Sequence, residues 1–108
     1  MRFIYMLTSY NNKSYALNLI KQNMNLFNLF NKVYLFGSIL NPNKIPSDID
    51  ILLIYSVYSE RLTENINLIC NTLNQVSKFP VDLTVLSVAE EKELEFLKKQ
   101  KLNYLEIK

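Results

Sequence analysis

The chain has 108 residues and a formal net charge of +2, with one glycine, one cysteine, three aspartates and no histidine. That length points to one domain over residues 1–108, able to hide about two-thirds of the surface its unfolded chain exposes. Without histidine there is no Ser/His/Asp or Cys/His nucleophile pair, no imidazole base and no histidine-based zinc site, and the lone Cys70 excludes an internal disulfide.

Hydrophobic residues make up 49% and charged residues 20% of the chain, ordinary values for a folded domain. The small net charge lacks the basic stripe of a nucleic-acid binder. No apolar run approaches the roughly 18 residues that span a bilayer. The segment Met1–Leu7 is followed by no small-residue cleavage site, so it reads as part of the domain and the cytoplasm is the expected compartment. Cys70, beside Leu68 and Ile69, is expected to pack as a small apolar residue.

From about Ser9 to Asn31, Ala16, Leu17, Ile20, Met24, Phe27 and Phe30 recur at the spacing of one helical face, which predicts an amphipathic helix. Val33-Tyr34-Leu35-Phe36, closed by Gly37, reads as a strand. Asn41, Pro42, Asn43 and Pro46 make Ser38–Ser47 a loop. Asp48–Tyr55 reads as a second strand, whose run Ile51-Leu52-Leu53-Ile54 suits burial on both faces.

Leu62, Ile66, Ile69, Leu73 and Val76 predict a second amphipathic helix over about Ser59–Ser77, stopped by Pro80. Val81–Leu86 is a third strand. Ser87 with Glu90 matches a capping box, so a third helix is expected from there to about Lys99. Leu102–Ile107 mixes alternation with helical spacing and stays open between an edge strand and a continued helix. The order predicts an α+β fold, a small mixed sheet packed by helices.

The three aspartates all fall at the starts of predicted strands, and the one glycine ends another. Asp48 and Asp50 project to the same side of their strand. The helix between the second and third strands suits a parallel crossover, which brings Asp82 to the same end. An antiparallel first strand delivers Gly37-Ser38 there as well. Clustered carboxylates repel and at least one pKa should rise, unless a hard cation such as Mg²⁺ sits between them. Two such ions can stabilise the attacking and leaving oxygens of an in-line displacement at phosphorus. Gly37 allows a phosphate close to the backbone, and the amides after it with the Ser38 hydroxyl can donate to that phosphate. Lys44, the only cation between Ser38 and Asp48, is a candidate neutraliser of a triphosphate.

Leu35-Phe36-Gly37-Ser38, then Asp48-Ile49-Asp50-Ile51-Leu52-Leu53, then Val81-Asp82-Leu83 resemble the signature of DNA polymerase β-like nucleotidyltransferases, most of all the minimal ones. The resemblance implies that Asp48 and Asp50 bind metal and that Asp82 assists the metal site and activates an acceptor hydroxyl. It implies that Gly37 and Ser38 hold the nucleotide's phosphates. Two Mg²⁺ ions and ATP are the implied cofactor and substrate.

Minimal members are often encoded beside a small helical HEPN protein, and some are antitoxins that attach AMP to a tyrosine of that partner. Many carry arginine directly after the Gly-Ser pair, where this chain has Ile39. Two other readings stay open: a catalytically inactive antitoxin of the same fold that acts by binding, and transfer to a small molecule of the aminoglycoside type. Assembly with a second copy is compatible with each.

Overall fold

The computed structural model describes residues 2–100 and 103–108, and for residues 2–11 the helical backbone only. Helix α1 spans Arg2–Gln22, so it starts earlier and stops earlier than the expected Ser9–Asn31. At its end the Asn23 side-chain Nδ2 donates to the Leu19 carbonyl at 2.8 Å. Asparagine competes with the backbone in this way, and it recurs at Asn25, Asn28 and Asn31. The chain continues as a 3₁₀ turn, Met24–Phe27. Phe27 and Phe30 still enter the core. The Lys108 ammonium donates to the carbonyls of both, at 2.9 and 2.6 Å.

Strand β1 (Lys32–Phe36) runs antiparallel to β2 (Ile49–Tyr55), with Phe36 opposite Asp50 and Leu35 opposite Ile51. Helix α2 (Glu60–Val76) then crosses to β3 (Val81–Ser87), which lies parallel to β2 as expected. The Ser59 hydroxyl caps α2 by accepting from the Leu62 N–H at 3.2 Å. Cys70, on α2, is half-buried rather than enclosed and accepts a hydrogen bond from Asn74.

The expected third helix is broken into α3 (Val88–Leu94) and α4 (Phe96–Lys99). Glu95 adopts the left-handed conformation, φ 49°, and the Glu91 carboxylate accepts from the Leu97 N–H at 3.2 Å. This bend lays Phe96 edge-to-face on Phe36, with centroids 5.3 Å apart. The capping box is present: the Glu90 N–H donates to Ser87 Oγ and the Ser87 N–H to Glu90 Oε1. Ser87→Ala is expected to cost about 1 kcal/mol in urea denaturation.

The tail forms an edge strand, β4 (Tyr104–Glu106), antiparallel to β1, and the sheet order is β3-β2-β1-β4. Strand alternation divides the side chains. Val33, Leu35, Ile49, Ile51, Leu53 and Val81 enter the main core with residues of α1 and α2. Tyr34, Leu52 and Ile54 form a smaller cluster on the other face, with Phe36, Leu86, Phe96, Leu97 and Tyr104 against it. Ile51–Ile54 are buried on both faces, as the unbroken apolar run predicts. No helix among the described residues is long and apolar enough to cross a membrane.

Candidate metal and nucleotide site

The site grows from the start of β2. Asp48 directly precedes the strand, Asp50 is its second residue, and Asp82 is paired with Asp50 across the parallel ladder. Asp50 and Asp82 therefore point to the same face, that of the smaller cluster. One carboxylate oxygen from each of the three aspartates lies within 4.8 Å of the other two. An all-oxygen, all-anionic donor set of this kind suits a hard divalent cation of the Mg²⁺ type.

The surroundings disfavour a charged Asp50. Burial above all, then the charges of Asp48 and Asp82 and a hydrogen bond with Asp48, push its carboxyl up from 3.8 to about 6. The residue is half-buried, as is Asp48, whereas Asp82 is exposed. Ser47 Oγ lies 3.4 Å from Asp48 Oδ1.

Gly37 sits against this cluster because Phe36 pairs with Asp50. Its backbone, φ 86° and ψ −160°, is in a region open essentially to glycine. A Cβ there would collide with Asp50 Oδ2. Ser38 then opens a 3₁₀ turn, Ser38–Leu40, anchored by buried Ile39. Lys44 is exposed and lines a different concavity of about 300 Å³ with Lys13, Leu17, Ile39 and Pro46. None of the three aspartates lines it.

Two asparagines outside the motif also shape the site. Asn103 Nδ2 donates to the Gly37 carbonyl at 3.3 Å, tying the segment before β4 to the glycine turn. Asn74, near the end of α2, brackets Val81: its Oδ1 accepts from the Val81 N–H at 2.8 Å and its Nδ2 donates to the Val81 carbonyl at 3.2 Å. That clamp fixes the residue immediately before Asp82. Neither has a signal in the sequence beyond an asparagine near an element end. Asn74→Ala frees both polar groups of Val81 to water and is expected to cost about 1 kcal/mol, measured by urea denaturation.

The model of the polymerase beta nucleotidyltransferase family matches residues 11–104, and the chain belongs to that family. A comparison with curated proteins finds no match. Among solved structures, the chain resembles a crystal structure of a candidate nucleotidyltransferase from Sulfolobus solfataricus. The two share 21% identity with a TM-score of 0.54, over 91% of this chain and 80% of the other. That likeness supports the α+β nucleotidyltransferase fold.

Proposed function

We propose that the protein is a divalent-metal-dependent nucleotidyltransferase that moves AMP from ATP to a hydroxyl of a protein partner. The observation that carries this reading is the convergence of Asp48, Asp50 and Asp82 to within 4.8 Å beside Gly37, in a chain of the nucleotidyltransferase family. Asp48 and Asp50 would hold the metal with help from Asp82. When bound, Mg²⁺ would supply positive charge against the negative charge that builds on the phosphoryl oxygens and on the departing pyrophosphate.

The chain's own residues do the rest. The Gly37 turn, lacking a Cβ, lets the triphosphate approach the backbone, and the Ser38 hydroxyl donates to it. Asp82, the exposed member of the three, orients the acceptor hydroxyl and takes its proton. The acceptor oxygen forms a bond to the α-phosphorus, and the bond from that phosphorus to the oxygen bridging to the β-phosphate breaks. Pyrophosphate leaves with the electron pair, and the proton passes from Asp82 to solvent.

The partner is a small helical HEPN-type protein, and the pair works as toxin and antitoxin, as the resemblance implies. Incubating the chain with labelled ATP, Mg²⁺ and the product of the adjacent gene is expected to label that protein. An Asp82→Asn chain is expected to label it at least about a hundredfold more slowly. Equal neutralisation of the partner by both chains, with no label from either, would favour the binding-only reading.

A further inference from the structure

The two edges of the sheet differ. β4 is three residues long, whereas β3, at the other edge, has seven and carries Asp82. The Ile49 N–H donates to the Pro80 carbonyl at 2.8 Å, and Ile49 is the parallel partner of Val81. Along a parallel ladder, residues whose peptide groups face the neighbouring strand alternate with residues whose groups face away. Pro80, Asp82, Thr84 and Leu86 thus turn toward β2, and Val81, Leu83, Val85 and Ser87 turn outward.

Side chains close both ends of this outward row. Asn74 occupies the N–H and C=O of Val81, and Glu90 accepts from the Ser87 N–H at 2.8 Å. Between them, the outward N–H and C=O groups of Leu83 and Val85 have no partner among the described residues. β3 contains no lysine and no proline, residues that natural sheets use to blunt an edge. The gap matches an extended segment making two hydrogen-bonded antiparallel pairs.

We propose that an extended segment of the acceptor protein adds to β3 as a fifth strand, bonded to Leu83 and Val85, and so places a hydroxyl-bearing residue opposite Asp82. This rests on the nucleotidyl-transfer reading and names how its acceptor is recognised. Once Leu83 is in a hydrogen-bonded pair, Asp82 falls in the adjoining non-hydrogen-bonded pair, where Cα atoms are only about 4.5 Å apart and both side chains share a face. The incoming residue extends the row Phe36, Asp50, Asp82 across the sheet. Residues opposite Leu83 and Val85 face the main core, whose margin those two side chains form. The segment should therefore be apolar at those positions.

A second copy fits less well. The two-fold pairing that satisfies both Leu83 and Val85 centres on Thr84 and sets Leu86 opposite Asp82. An apolar side chain there desolvates a carboxylate and offers it no hydrogen bond.

The test uses the full chain and a blocked heptapeptide that alternates glutamine and valine, with tyrosine replacing one glutamine. In the free chain, amide hydrogen exchange is expected to be at least about tenfold faster at Leu83 and Val85 than at Thr84 and Leu86. Peptide at ~1 mM should slow the first two about tenfold, and a version N-methylated at its valines should not. Val85→Pro removes an outward N–H while sparing the β2 ladder. It should reduce labelling of the protein acceptor at least about tenfold while keeping the Mg²⁺-induced rise in melting temperature.

Unchanged exchange at Leu83 and Val85 with ~1 mM peptide would overturn the proposal. So would undiminished labelling by Val85→Pro, which leaves the transfer reading intact. Peptide protection with no label on any acceptor would support strand addition and reject the transfer reading. A wild-type dimer that Val85→Pro converts to monomer would assign the edge to a second copy and overturn the proposal.

Discussion

Gly37→Ala is expected to lose divalent-cation binding together with transfer activity, while the protein stays folded. Two effects act at this one position. A non-glycine residue at φ 86° and ψ −160° costs about 1–3 kcal/mol of backbone strain. The new methyl also meets Asp50 Oδ2, the free end of a side chain, so the carboxylate gives way before the strand does. A displacement of about an ångström at a reacting centre can lower a rate about a hundredfold. Titration with Mn²⁺ and labelling with ATP should both show the loss, and urea denaturation should show a stability drop of about 1–3 kcal/mol. Wild-type cation affinity in the variant would remove Gly37 from the site.

The second large effect concerns pH. In the unfolded chain the Asp50 carboxyl has its ordinary value of 3.8, and in the fold it is raised to about 6, mainly by burial and then by Asp48 and Asp82. Between those values the folded state holds a proton that the unfolded state has released. Stability of the cation-free protein therefore falls as pH rises through about 4 to 6, and levels off above. A displacement of this size corresponds to at most about 3 kcal/mol, and solvent screening of an incompletely buried group reduces it to about 1–2 kcal/mol.

Asp50→Asn should flatten that slope and stabilise the cation-free chain at pH 7.5 by about 1–2 kcal/mol, while abolishing transfer. Mg²⁺ at a hundred times its dissociation constant should add about 2.7 kcal/mol to the wild type at pH 7.5. It should add little to the variant. Thermal melts at pH 5 and 7.5, with and without Mg²⁺, read all of these outcomes. A wild-type chain more stable at pH 7.5 than at pH 5 without the ion would contradict the account.

The aspartates are legible in the sequence because strand alternation and a parallel crossover are both short-range rules. Asp48 and Asp50 share a side by spacing, and α2 is long enough to return Asp82 beside Asp50. The contact between Gly37 and Asp50 is not local. It depends on the register of β1 on β2, which the ten-residue connection Ser38–Ser47 leaves free until Phe36 pairs with Asp50.

The end of α1 is hidden in the sequence because the apolar stripe outlasts the helix. Met24, Phe27 and Phe30 are spaced by three, the period of a 3₁₀ turn, and continue the apolar stripe after the α-helix has stopped. The break at Glu95 carries no glycine or proline to announce it. The tail is undecidable alone because its partner is distant: Glu106 meets the Tyr34 hydroxyl at 3.1 Å from 72 residues away. The same contact, with burial the larger cause, pushes the Tyr34 phenol up to about 12.

The alternation that sends Ile49, Ile51 and Leu53 inward is the same one that sends Asp50 to the opposite face. Core and site are thus written in one reading frame. Adding or deleting a single residue between Asp50 and Ile54 sets the two parts of the strand out of phase, so that either Asp50 turns into the core or apolar side chains turn toward the ion, and stability or chemistry is lost. The adjoining loop carries no such coupling: Ile45 is 96% exposed. Length variation among relatives should therefore collect between Asn41 and Ser47 and be absent from the strand that follows.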